Sequence, residues 1–301
     1  MVITMNELAE KTAVKKYEGI RLSPSSILTY LRCPQEFYYN YVLRLSQPPS
    51  IHLIKGSIVH KVLEKFFANK FVEDLEKQME TLFTTEWDNN KEKLDELNLS
   101  KDELEKELRD CVNIIDMFLR GFRIKMDALK WIGKAENSRH AFFLLRPKFR
   151  EKFYVDDELN LCGYIDRIHT DFSGITTIGD YKTSNRYGIG IKDEYEIQCG
   201  LYALLHKRVT GKLPDYTSVI FLRFGEEVRT RVTPDQIKNV LRILKEVTEK
   251  TKSDNMDDYP KNEGKFCKYC SFFNKCSSLE KIEDDIRIKK AIKKIKGDKD
   301  E

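Results

Sequence analysis

Two short runs, GYIDRIHT (163–170) and ITTIGDYKT (175–183), are separated only by DFSG. Both are rich in β-branched and aromatic residues, and the polar link between them ends in glycine. That pattern commits this part of the chain to a β-hairpin, and so to a sheet. Opposed residues in an antiparallel pair have position numbers with a constant sum. A turn centred near Ser173 therefore sets Asp166 about opposite Asp180. Lys182 lies two residues beyond Asp180 and projects from the same face of its strand. Two carboxylates and an ammonium converge on one patch. Facing aspartates repel, and a hard divalent ion relieves that repulsion by taking carboxylate oxygens as ligands. A lysine beside such an ion can orient water and offset charge building on a phosphate. Taken alone, the hairpin is equally compatible with salt bridges on an exposed strand face.

The flanking segments add polar groups at helical spacing. In GSIVHKVLEKF, starting near Lys55, His60 and Glu64 are four apart and share a helix face. An imidazole can join carboxylates around Mg²⁺ or Mn²⁺, and the softer nitrogen favours Mn²⁺. In IQCGLYAL, Gln198 and Tyr202 are again four apart on an otherwise apolar helix, a pair suited to a backbone phosphate.

Around these lie several further segments. Residues 23–45 open with serine and proline and continue with helical apolar spacing, giving a capped helix carrying Cys33 and then an aromatic-rich stretch, FYYNY. Its rings suit either a core or stacking on unpaired bases. Residues 70–130 are rich in Glu, Lys and Leu with no proline, a helical insertion with a break at NLS. From about 140 the segments HAFFLLRPKF and EKFYVDD read as strands, like the hairpin after them. A helix ending at Gly211, a strand at DYTSVIFLRF and an amphipathic helix over 234–252 complete the series. The expected division is an extension (1–22), N-terminal helices (23–69), the insertion (70–135), an α/β core (136–252), a cysteine segment (253–280) and a basic tail (281–301).

Near the end, KFCKYCSFFNKC holds three cysteines as C-x2-C-x5-C, one thiolate short of a tetrahedral site. Cys111, Cys162 and Cys199 sit in apolar segments and read as plain buried thiols. Cys33, in the polar LRCPQEF, is the best fourth ligand. No apolar run among the 301 residues is long enough to span a bilayer, and the N-terminus lacks a signal-peptide core. The expectation is a soluble, cytoplasmic protein, where clustered cysteines serve metals more often than disulfides. A net charge of +4 is too mild to identify a polyanionic partner. The terminal IRIKKAIKKIK is basic enough to lie along phosphates, or to be a solvated helix.

Taken together and in this order, GSIVH, GYID, DYK and QCGLY resemble the PD-(D/E)XK nucleases of the RecB-like type. RCP and CKYCSFFNKC are similar to its iron–sulfur branch, which includes the CRISPR-associated RecB-like exonuclease and the AddB nuclease domain. The resemblance covers roughly residues 23–62 and 150–276. It implies a restriction-endonuclease-like α/β core, a central mixed sheet flanked by helices. It implies His60, Asp166 and Asp180 as ligands of Mg²⁺ or Mn²⁺, with Asp166, Asp180 and Lys182 catalytic and Gln198 and Tyr202 against substrate. A 4Fe–4S cluster on Cys33, Cys267, Cys270 and Cys276 is implied in the same way, with Zn²⁺ the competing occupant. The proline of the family's PD is absent: Ile165 precedes Asp166. The implied activity is a metal-dependent deoxyribonuclease acting on single strands or ends, in repair, recombination or CRISPR adaptation. Implied partners are DNA and possible companions such as a helicase, recombination or CRISPR integration proteins. The rival reading is a catalytically silent DNA-binding scaffold of the same fold holding zinc.

Overall fold

The structure, a computed structural model, describes residues 20–184 and 193–276. The N-terminal extension up to residue 19 and the basic tail lie outside the described residues. The described residues form two compact units, one within Gln47–Asp156 and Cys162–Ile243, the other of residues 20–46, 157–161 and 244–276.

In the larger unit, hydrophobic periodicity builds α3 (Ile51–Ala68), which starts four residues before Lys55. Then come α4 (Leu75–Asn89), α5 (Lys91–Asp95) and α6 (Lys101–Trp131). The NLS break is real: Ser100 caps α6, its hydroxyl accepting from the Glu103 N–H while the Glu103 carboxylate accepts from Ser100 N–H. The HAFFLL stretch, expected as a strand, is helix α7 (Ser138–Leu145). Asn137 caps it by accepting from His140 N–H, and Phe142 buries its ring against Phe66, Phe67 and Phe122. An aromatic run suits either element, and here the cap and the core pocket decide.

A five-stranded sheet follows, ordered β1-β2-β3-β4-β5. Its strands are β1 (Phe149–Asp156), β2 (Leu161–Thr170), β3 (Thr176–Lys182), β4 (Tyr216–Phe221) and β5 (Glu226–Arg231). The β2–β3 hairpin has the expected register, with Arg167 facing Gly179 and Ile168 facing Ile178. Its turn is held by the Asp171 carboxylate, which accepts from the N–H groups of Ser173 and Ile175, and Gly174 supplies the φ of +80°. β3 and β4 are parallel, joined through helix α8 (Asp193–Thr210), and β4 and β5 form a second hairpin. β5, EEVRTR, is an edge strand the aromatic and β-branched signal did not reveal.

Apolar helices cover both faces of this sheet. On one, α3, α4, α6 and α7 share a core with Tyr181, Ile220 and Leu222. The helical insertion is therefore part of the main core. On the other, Tyr195 and Cys199 of α8 pack on Val219 and Phe221. Helix α9 (Pro234–Lys250) approaches α8 so closely at Gly200 that a Cβ there would meet Val240 Cγ1 at 2.7 Å.

In the smaller unit, Ser23 caps α1 (Pro24–Arg32), and Cys33 sits just past its end instead of within it, followed by α2 (Pro34–Phe37) and a π-helical turn, Tyr38–Val42. Tyr30, Phe37, Tyr38 and Tyr39 pack around Tyr259 and Phe272. Most of the FYYNY rings are thus core, which removes them as a surface for stacking bases. Among the described residues, no helix is long and apolar enough to cross a membrane.

Candidate active site and cysteine centre

Three elements deliver one cluster of side chains whose donor atoms could hold a metal ion. Helix α3 buries Ile58, Val59, Val62 and Leu63, and that packing turns His60 toward the sheet. His60 Nε2 lies 3.1 Å from the Tyr181 carbonyl oxygen. A carbonyl can only accept, so Nε2 carries the proton and donates, leaving Nδ1 directed at carboxylates. Nδ1 is 3.6 Å from both Asp166 Oδ2 and Glu151 Oε1. Asp166, 8% exposed, accepts from the Tyr181 backbone N–H at 2.7 Å. A side chain thus takes a backbone donor of β3 just where the β2–β3 pairing ends.

Glu151 is the residue that sequence reasoning missed. Its φ of +43° is a left-handed conformation within β1, unusual for a non-glycine residue and able to re-aim a side chain on a strand. Nothing in EKFYVDD signals it. Among the described residues, only His60, Glu151 and Asp166 bring three metal-binding atoms within 4.8 Å of one another.

Asp180 has different partners. Only 4% exposed, it meets Lys182 Nζ at 2.7 Å through Oδ2 and accepts from Gln198 Nε2 at 3.1 Å through Oδ1. Lys182 Nζ also donates to Gln198 Oε1 at 2.9 Å and lies over the Tyr195 ring. Gln198 Nε2 reaches the Tyr202 hydroxyl oxygen at 3.3 Å. Gln198 and Tyr202, expected against substrate, are both buried at 7% exposure and lie behind the Asp180–Lys182 pair. Glu64, on the His60 face of α3, lines the same open cleft and pairs with Lys61.

The electrostatics follow from this crowding. Burial disfavours a charged imidazole at His60, but the carboxylates of Asp166 and Glu151 outweigh it and raise its pKa to about 10. Burial pushes Asp180 up, with the Lys182 ammonium opposing and Asp166 reinforcing. Lys182 is held protonated against its own burial by Asp180. Two acids that hold a proton on histidine form a donor set suited to a cation, which would displace that proton.

The cysteines occupy the smaller unit. Cys33, Cys267, Cys270 and Cys276 line one cavity of about 250 Å³. Gly264 N–H donates to Cys267 Sγ at 3.3 Å, and Cys276 Sγ–H to Gln35 Oε1 at 3.3 Å. No three of these sulfurs fall within 4.8 Å of one another. Burial drives the Cys270 thiol up to about 11. Cys111 and Cys199 are buried as expected, whereas Cys162 is only half-buried.

A family model described as the PD-(D/E)XK nuclease superfamily matches residues 21–277. Human DNA replication ATP-dependent helicase/nuclease DNA2 is 23% identical over 291 residues, covering 87% of this chain. The match takes in only 27% of that relative's length. A solved structure of a candidate exonuclease from Eubacterium rectale aligns over 90% of this chain and 92% of its own, with a TM-score of 0.49 and 15% identity.

Proposed function

We propose that this chain, which belongs to the PD-(D/E)XK nuclease superfamily, hydrolyses phosphodiester bonds of DNA with a divalent cation at His60, Glu151 and Asp166. The reading is carried by one observation: an imidazole and two carboxylates from α3, β1 and β2 share a 4.8 Å neighbourhood. Asp180 is within electrostatic reach of His60 and Asp166 and is the natural further ligand. Imidazole in the set favours Mn²⁺ over Mg²⁺. A divalent cation held there supplies Lewis acidity, polarising a scissile phosphate and acidifying water.

The chain's own residues do the rest. Nε2 of His60, tied to the Tyr181 carbonyl, keeps Nδ1 facing the site. Lys182 presents a positive charge whose position is set by Asp180 and Gln198 before substrate arrives, so stabilising a phosphate gathering charge needs no rearrangement.

Finer assignments complete the proposal. The substrate is single-stranded DNA or strand ends, cut as an exonuclease in repair, recombination or CRISPR adaptation. The DNA2 relative is a helicase/nuclease, and a helicase, recombination or CRISPR integration protein is the partner class proposed here. Cys33, Cys267, Cys270 and Cys276 hold a 4Fe–4S cluster. A single zinc on the same four thiolates, which line one cavity, is the competing occupant. DNA and clustered thiols both fit a reducing cytoplasm.

The test uses end-labelled single strands with Mn²⁺ or Mg²⁺. Wild type degrades them, while Asp180→Ala and Lys182→Ala abolish cleavage and leave folding and DNA binding largely intact. Unchanged cleavage by either variant refutes the site. Anaerobically purified protein is expected to be brown with broad visible absorption; a colourless protein carrying stoichiometric zinc rejects the cluster.

A further inference from the structure

The cleft beside the metal-binding side chains carries aromatic surface that the chemistry does not use. Tyr164 is 58% exposed and lines the same open cleft as His60 and Glu151. Phe153, 45% exposed, pairs with it at a ring-centroid distance of 4.8 Å. On the α3 side of the cleft, Leu53 is 64% exposed. Large apolar side chains left in water next to an acidic metal site cost stability, and the fold places them there all the same. They also sit close to the chemistry. Tyr164 is two residues from Asp166 along β2, and Phe153 two from Glu151 along β1, roughly 7 Å of strand in each case. Lys148 and Lys152 lie over the Phe149 ring at the start of β1, the strand that carries Phe153.

We propose that Phe153 and Tyr164 form a stacking platform for an unpaired base of the DNA strand, next to the nucleotide whose phosphate is cut, with Leu53 as the opposing wall. This rests on the nuclease reading above and deepens it by giving the strand preference a structural origin. A base in the interior of a duplex has both faces covered by its neighbours, so away from the ends only an unpaired base can offer a face to these rings. Every base has such a face, and the platform therefore selects single strands without selecting sequence. Lys148 and Lys152 attract the backbone and add a salt-dependent contribution. The metal-binding residues then act on whichever phosphate the stacked base brings into the cleft.

The experiment pairs binding with cleavage. Binding of fluorescent oligothymidine by the intact protein is measured by anisotropy in EDTA, and metal-dependent cleavage is measured separately on single- and double-stranded DNA. Phe153→Ala and Tyr164→Ala are expected to weaken single-strand binding roughly tenfold or more each. They should raise KM for single strands while leaving kcat close to wild type, and Tyr164→Trp should keep wild-type behaviour. A strand with one abasic position at the platform should lose the same factor with wild type and little with Tyr164→Ala. Both side chains are exposed, and circular dichroism verifies that the variants fold. If wild type cuts strands and both alanine variants bind and cut like wild type, the platform is wrong while the nuclease stands. If wild type cuts nothing yet the variants lose single-strand binding, the platform stands and the nuclease reading falls.

Discussion

Gln198 uses both ends of its amide, Oε1 accepting from Lys182 and Nε2 donating to Asp180, so it holds a charged pair that would otherwise be free to reorient. A side chain buried behind reactive groups affects how often they are correctly placed. Gln198→Leu removes both contacts at similar volume and should lower kcat about 10- to 100-fold with KM little changed. Steady-state kinetics on a labelled strand decides it: a rise in KM alone would return Gln198 to the substrate surface. The i, i+4 spacing of Gln198 and Tyr202 is legible in the sequence, because helical periodicity is local. Their burial is not, because it depends on β3 lying against α8. Glu151 is less legible still. Its role comes from a left-handed backbone inside a strand, a geometry that residue type does not announce in a non-glycine.

Among the elements, β2, β5 and α6 meet through one carboxylate. Glu227 accepts from Lys125 Nζ at 3.0 Å and pairs with Arg167 Nη1 at 3.3 Å. Burial alone would raise its pKa, but the two cations pull it from 4.5 to about 2. Because the folded pKa is the lower one, the stabilisation is complete above about 4.5 and is lost as pH falls from there toward 2. Its full size is about 3 kcal/mol by linkage. Thermal unfolding followed from pH 7 to pH 2 should find Glu227→Gln less stable than wild type at neutral pH. The two curves should converge through that window, and parallel curves would show that the pairs contribute nothing. A second ion network, Lys55 with Glu107 and Asp110 and Asp110 with Arg223, ties α3 to α6 and the β4–β5 turn. The cap at Ser23 was readable, since a serine before an apolar-periodic run satisfies the first free N–H groups wherever it occurs, while at NLS the sequence showed only a break and the structure supplied the Ser100 cap. The identity of α7 was not, because HAFFLL has no strong preference until Phe142 finds a pocket lined by Phe66, Phe67 and Phe122.

On the scale of the whole molecule, the smaller unit draws Cys33 toward cysteines more than two hundred residues later, and closing a loop of that length is entropically expensive. Aromatic packing meets part of the cost: Tyr259 lies among Tyr30, Phe37 and Tyr38, and Asn262 Nδ2 donates to the Arg32 carbonyl at 2.8 Å. If the proposed cluster closes this loop, Cys33→Ser or Cys276→Ser lowers Tm by several degrees and bleaches its visible absorption without unfolding the protein. Calorimetry with parallel iron analysis would test this, and an unchanged Tm after cluster loss would remove the clamp. Local pattern alone determined the β2–β3 hairpin and its register, the Ser23 cap and the helix carrying His60. Each of these depends on neighbours a few residues apart. Tertiary structure decided that Glu151 joins His60 and Asp166, that Asp180 turns to Lys182 and Gln198, and that FYYNY is core while Phe153 and Tyr164 face water. Those outcomes depend on which distant surfaces exclude solvent from one another, and burial is a property of the packed chain that no short stretch contains.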